Sequence, residues 1–375
     1  MKKSLFIIAA TALVISCANN DVKNDIAPTP IGFTKVYIEN GTKAFQTGAY
    51  TAANFETEGN TFAVYGFKTT ATQTNARVFN NKVVTYTSGL TTSTNGYEST
   101  TDWAYSPLVY WDKTATEYHF YAYAPDDSKF TGSVAFTTDN VPSSFSISGF
   151  EQTHAQSTMI DLMTDMTSKG GTNKVTGNSI GTNDVAFTFG HILSNINLEM
   201  ALSAALKADY AANPVTVLSV SLGAIKMNGS YAYATNAYAW TLATGANQAT
   251  ATFAGTLSGT SPNQYVFDSN ALKAVSNDAQ DNYGFTAVPA MTDLLFVPQA
   301  VDADYAITVQ YKIGSELFDK TIALSEFKNN NASLATWAPG YKYTYRIVIG
   351  PTPILFDITD VSEWGDGGVY TYTIE

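Results

Sequence analysis

The sequence predicts an all-β protein built from two antiparallel β-sandwich domains in series. Three observations carry that prediction. Segments with alternating apolar and polar residues recur along the chain, separated by glycine-rich and polar stretches. The composition favours pleated strands, with 23 Tyr and 21 Phe among 375 residues and abundant threonine. Helical patterns are few and short, and none is long enough to carry a helical domain.

The chain opens with Lys2-Lys3 and an apolar run from Leu5 to Ile15. That is a charged n-region followed by an h-region too short to span a bilayer, so residues 1–16 read as a signal peptide. Val14-Ile15-Ser16-Cys17 resembles the bacterial lipobox, in which cleavage precedes the cysteine and acyl chains are attached to it. Cys17 is the only cysteine, so it cannot staple the fold and is the candidate lipidation site. Each buried methylene contributes about 0.8 kcal/mol, so more than one acyl chain anchors stably without a membrane-spanning helix. Residues 17–30 then form a polar, proline-containing tether. The chain beyond residue 30 is long enough for two domains, each with its own core.

Phe62–Phe67, Arg77–Tyr86 and Glu117–Ala124 read as strands. The clearest is "YKYTYRIVI" at 341–349: Tyr341, Tyr343, Tyr345, Ile347 and Ile349 share a core face, while Lys342, Thr344 and Arg346 face water. Residues 203–213 and 324–335 each predict a short helix or helical turn, inserted between strands. The linker-like "SKGGTNKVTGNSIGTND" at 168–184 sets the domain boundary, giving a first domain over 31–178 and a second over 179–375.

Net charge is −12, and the only arginines are Arg77 and Arg346. An acidic surface argues against nucleic acid and anionic lipid as partners, because phosphates need a basic footprint. Chemistry-bearing constellations do not emerge. His119, His154 and His191 lack metal-ligand spacing, and there is no G-x-S-x-G elbow, P-loop or dinucleotide fingerprint. Acidic pairs at Asp126-Asp127, Asp302/Asp304 and Asp357/Asp360 do not follow a calcium-loop pattern and read as solvated turn residues. Trp103, Trp111, Trp240, Trp337 and Trp364 could form a sugar-binding platform, although most lie in strand-like runs where core packing is commoner. The chain reads as non-enzymatic, with no cofactor and no metal.

A series of stretches resembles the fimbrillin family of Bacteroidales, the subunits of type V pili and their accessory proteins. In order they are "FAVYGF" (62–67), "VFNNKVVTY" (78–86), "DWAYSPLVYWDKTATEYHFYAYAP" (102–125), "DLM" (161–163), "FTFGHILSNINLEM" (187–200), "LLFVPQ" (294–299), "TWAPGYKYTYRIVI" (336–349) and "VSEWGDGG" (361–368). The resemblance implies two transthyretin-like sandwich domains and export as a lipoprotein to the outer membrane. It also implies a cell-surface fimbria whose subunits polymerise when a protease removes an N-terminal strand. A strand from another pilus subunit then fills the vacated groove, satisfying its backbone and plugging its apolar trough.

The sequence contains segments that suit this scheme. "FTKVYIEN" (33–40) is the candidate strand to be removed, and the turn-like segment ending at Lys43 offers a protease an exposed site. With no arginine before Arg77, a trypsin-like cut must use Lys35 or Lys43, and Lys43 is the better placed. At the other end, residues 352–375 hold the candidate donor strands. Ile354, Phe356 and Ile358 alternate there, and beyond "WGDGG" so do Tyr370, Tyr372 and Ile374. The same residues equally suit a final hairpin that completes the second domain. The alternative function is a binding module: a pilus-tip adhesin or stand-alone surface lipoprotein that captures host glycan or protein.

Overall fold

The computed structural model describes residues 29–38, 55–89, 102–136, 144–166, 173–182, 184–209, 212–234, 237–245, 249–255, 265–266, 286–288, 291–329, 332–351 and 355–363. The chain runs through β1 (Phe33–Ile38), β2 (Thr61–Thr69), β3 (Ala76–Tyr86), β4 (Trp103–Ala104), β5 (Glu117–Ala124), β6 (Thr131–Phe136) and β7 (Phe145–Glu151). It continues through β8 (Met163–Thr164), β9 (Asn173–Thr176), β10 (Val185–His191), β11 (Ser194–Leu202), α1 (Ala204–Asp209), β12 (Val215–Lys226), β13 (Asn228–Ala234) and β14 (Ala237–Leu242). Then come β15 (Thr250–Gly255), β16 (Tyr265–Val266), β17 (Thr286–Ala287), β18 (Leu294–Phe296), β19 (Gln299–Ala300) and β20 (Ala306–Ile313). The last strands are β21 (Glu316–Ala323), β22 (Lys328–Asn329), β23 (Ala332–Ser333), β24 (Thr336–Trp337), β25 (Tyr341–Ile349) and β26 (Leu355–Glu363). The all-β class is as the alternation and composition predict.

The first sheet has the order β1-β10-β8-β5-β2-β3-β4, with β9 beside β5. It rolls round until residues just before β1 meet the segment after β4: Ile31 N–H donates to Val109 O at 2.8 Å and Trp111 N–H to Thr29 O at 2.9 Å. The inside is packed with Phe33, Phe55, Phe62, Phe79, Trp103, Tyr105, Trp111, Phe120, Phe187 and Phe189. β2 and β5 are buried on both faces. Phe62 and Phe120 point into the roll, while Tyr65, Phe67, Tyr121 and Tyr123 point out of it toward a second sheet. There Tyr65 stacks on Phe136 of β6 (4.7 Å) and Tyr123 approaches Phe145 of β7 (5.5 Å).

That second sheet, β14-β13-β7-β6, draws two strands from before the expected boundary and two from after it. β10 likewise lies beyond residue 178 yet belongs to the first sheet, and only Ile192-Leu193 separate it from β11. One core therefore runs from Ala63 through to Ile349. It fills the space against two further five-stranded sheets, β17-β11-β25-β26 with β18 on β11, and β15-β12-β20-β21 with β16 on β12.

Two expectations are corrected. Pairing is not wholly antiparallel, since β1 runs parallel to β10 and β25 parallel to β11; both partners are far apart in sequence, as parallel pairing requires. The second face of β25 is not wet: Thr344 and Arg346 are buried. Arg346 Nε donates to Glu199 Oε2 on β11 at 2.7 Å. Beside them Asn195 Nδ2 donates to Asp293 Oδ1, and the Asp293 N–H to Asn197 Oδ1, both at 2.9 Å. Hydrogen bonding within the sheet makes this polar face compatible with burial. Both helical segments are present as expected: 204–209 is a short helix, and 324–335 opens with a single 3-10 turn at Leu324–Glu326 before β22 pairs with β23.

β1 breaks strict alternation, because Phe33 and Val36 are both buried although three positions apart. The register supplies the reason: Phe33 pairs with Val185 and Val36 with Phe187, so β1 uses one more residue than β10 between them. This is a β-bulge, and it returns Val36 and Ile38 to the face that Phe33 occupies. Deleting Lys35, one of the two residues between the paired positions, is expected to give a regular strand. Urea unfolding of that variant should match wild type within about 0.5 kcal/mol. A loss of several kcal/mol would show that the bulge itself is required.

Candidate functional site

β1 and the two residues before it fill a slot with two backbone walls. On one side β1 pairs with β10, and Val185 N–H also donates to Gly32 O at 2.8 Å. On the other side the chain before β1 is bonded to Val109 and Trp111, and Pro30 bridges Tyr110. Tyr105 closes the slot from below, its hydroxyl donating to Ile31 O at 2.7 Å. A Cβ at Gly32 would meet the Asp184 carboxylate.

Four side chains plug the slot: Ile31, Phe33, Val36 and Ile38 are all buried. The Phe33 ring lies 5.5 to 5.9 Å from those of Phe62, Phe79, Tyr105 and Phe187. Tyr37 points the other way and is 54% exposed. At about 1.5–3 kcal/mol per buried large apolar side chain, the plug contributes roughly 6–12 kcal/mol of apolar burial. That is comparable with the whole stability of an ordinary domain. An empty slot is therefore not a tolerable resting state.

Of the sequence-predicted site residues, Lys35 lies inside β1. Cys17 and Lys43 lie outside the described residues, as do Ile354, Tyr370, Tyr372 and Ile374. Phe356 and Ile358 fall on β26, opposite Ile347 and Tyr345 of β25. β26 is the last strand of its sheet. The plug residues Ile31 and Val36 were not singled out by sequence reasoning. Alternation alone hides them, since the bulge puts Phe33 out of phase with Val36; Gly32, flanked by two apolar residues, was the available signal.

Other candidates resolve into structural roles. Trp103, Trp111 and Trp337 are buried and cannot form a sugar platform, Trp240 is partly buried, and Trp364 lies outside the described residues. His191 Nδ1 lies 3.0 Å from Asp161 Oδ1, both buried, while His154 is exposed beside Glu151. Asp126 accepts from the Thr61 hydroxyl and the Ser128 N–H. Asp302 pairs with Lys226 at 2.9 Å. Among the described residues no three His, Cys, Asp or Glu side chains gather to hold a metal ion.

A rolled β-sheet whose first strand is enclosed by aromatic rings is joined through a shared core to further sheets. The sequence profile described as fimbrillin-like matches residues 42–364. The chain belongs to the fimbrillin-like family. The crystal structure of a fimbrial protein from Bacteroides vulgatus is 19% identical, covering 90% of this chain and 99% of its own, with a TM-score of 0.54. A Bacteroides uniformis protein assigned provisionally to cell adhesion is 17% identical over 90% of this chain and 98% of its own, with a TM-score of 0.47. A fimbrial assembly protein from Parabacteroides distasonis is 9% identical over 88% and 97%, with a TM-score of 0.36. No curated protein sequence matches the chain.

The slot wall formed by β10 is itself held by β8, which joins it to β5. Asp165, directly after β8, is buried. It accepts the Ala122 N–H at 2.9 Å and Asn173 Nδ2 at 3.0 Å. Burial pushes its carboxyl well above the usual aspartate range, and those hydrogen bonds only partly oppose the rise. The folded state thus binds this proton more tightly than the unfolded chain does. Its contribution to stability is full below the unfolded aspartate value and is lost as pH rises through the raised one. Asp165→Asn should remove that loss, so that urea midpoints of wild type fall relative to the variant as pH rises from 4 to 8. Parallel pH profiles would show that Asp165 does not titrate this way.

Proposed function

We propose that this protein is a structural subunit of a cell-surface fimbria, delivered as a lipoprotein through Cys17 and polymerised by strand exchange. The carrying observation is the plug: β1 pairs with β10, residues 29–31 just before it are bonded to the 109–111 segment, and Phe33 is ringed by aromatic side chains, all near the N-terminal end of the chain. Cleavage after Lys43 leaves β1 covalently free of the body, and its departure opens a slot that needs a replacement of the same alternating pattern. Residues 352–375 of another pilus subunit are the proposed replacement, with Ile354, Phe356, Ile358, Tyr370, Tyr372 and Ile374 as plug candidates. Lys35 is the poorer cleavage site, because it lies within the paired strand and becomes accessible only after β1 has left.

In this reading the chain comprises two transthyretin-like sandwich domains, and the acyl chains on Cys17 hold the precursor at the outer membrane until it is cut. The adhesin alternative calls for one contiguous aromatic patch. Among the described residues the large exposed apolar side chains are Tyr37, Val83, Tyr110 and Leu317, which sit on four separate segments.

Treatment of the purified precursor with a lysine-specific protease is expected to yield a chain beginning at Ala44 and denaturant-resistant ladders. Removal of residues 352–375 should abolish the ladders while leaving cleavage intact. Assembled fibres that still begin with acylated Cys17 would sink the processing step. Wild-type polymerisation of the truncated chain would sink the donor assignment.

A further inference from the structure

A second strand-shaped opening lies on the far side of the shared core. Among the described residues no strand pairs with the outer edge of β14. Beside that edge runs an open groove of about 550 Å³, lined by Tyr238, Trp240, Leu242, Pro298, Trp337 and Pro339, among others. Tyr238, Trp240 and Leu242 are only partly buried, whereas Tyr231 and Tyr233 on the neighbouring β13 are fully buried. Among the described residues the sheet stops one strand short of covering its own apolar face. A free edge presents unpaired N–H and C=O groups, and beside an apolar trough it selects an extended peptide with alternate apolar side chains.

Three of the polar side chains at the groove, Gln299, Trp240 and Trp337, are engaged within the fold. Gln299 Nε2 donates to Lys226 O and Val297 O, and its Oε1 accepts from the Tyr305 hydroxyl. Trp240 Nε1 donates to Ile192 O, and Trp337 Nε1 to the Tyr345 hydroxyl.

The path of the chain selects the occupant. Glu363, the last residue of β26, pairs with Tyr341, two residues beyond Pro339 of the groove wall. Residues 364–375, "WGDGGVYTYTIE", lie outside the described residues and continue from that point. Their glycines permit the chain to reverse. "VYTYTIE" would span roughly 23 Å at about 3.3 Å per residue, enough to run the length of the six-residue β14. Tyr370, Tyr372 and Ile374 recur with the same period as Tyr238, Trp240 and Leu242.

We propose that residues 369–375 add to the free edge of β14 of the same molecule as a fifth strand, closing the groove in the monomer. For its consequence this rests on the donor assignment above: a docked tail must leave β14 before it can be given to a neighbour. Assembly then waits on two releases, one at each end of the chain.

The test is hydrogen exchange on the detergent-solubilised full chain, comparing wild type with a Tyr370→Ser, Tyr372→Ser, Ile374→Ser variant. The β14 amides are expected to exchange at least tenfold faster in the variant, with β13 and β20 unchanged. Adding the peptide VYTYTIE should restore protection, and wild-type protection should not depend on protein concentration. Equal β14 exchange in the two proteins overturns the proposal. So does protection that appears only as concentration rises, which assigns the groove to a second copy. Polymerisation is scored separately in the same samples. β14 protection without ladders counts against the donor reading alone, and ladders without β14 protection against the docked tail alone.

Discussion

The structure depends on β1 occupying its slot. The first sheet is rolled, and the roll is completed only where residues 29–38 sit between β10 and the 109–111 segment. Phe33 is where rings from three parts of the roll converge: Phe62 and Phe79 from β2 and β3, Tyr105 from the segment after β4, and Phe187 from β10. Removing such a strand exposes both backbone edges and an aromatic floor at once. That cost opposes leaving the slot empty.

The second constraint is the shared core. Because β6 and β7 pair through β13 with β14, the outer face of the first sheet packs on a sheet drawn from both halves of the chain. The direct passage from β10 into β11 ties the halves again, and Gly340 fits there because its N–H donates to Leu193 O at 2.8 Å. A Cβ at that position would lie 3.1 Å from His191 O. The wall against which β1 packs is therefore continuous with the second half of the molecule.

Much of the fold was legible because alternation and aromatic content report directly on strands. Glu117–Ala124 and Tyr341–Ile349 match their expected limits. The second face of 341–349 was misread because Lys342, Thr344 and Arg346 look solvent-seeking, whereas Glu199 and its neighbours on β11 satisfy polar groups within the sheet. In 324–335 the expected helical turn is confined to Leu324–Glu326, because the pairing of β22 with β23 takes up much of the rest. Of the candidate site, the segment 33–40 could be named from the sequence, but the residues that do the plugging could not.

By itself the sequence determined the all-β class and the places of β2, β3, β5 and β25, and it showed no recognisable catalytic constellation. Those properties are local, written in residue period and residue type. Only the tertiary structure decided that β1 is parallel to β10, that a bulge sets Val36 and Ile38 in phase with Phe33, and that β7 pairs with β13 across the expected boundary. Register and partner choice depend on contacts between residues far apart in the chain. A shift of one residue reverses which side chains face the core, so no local pattern could have fixed them.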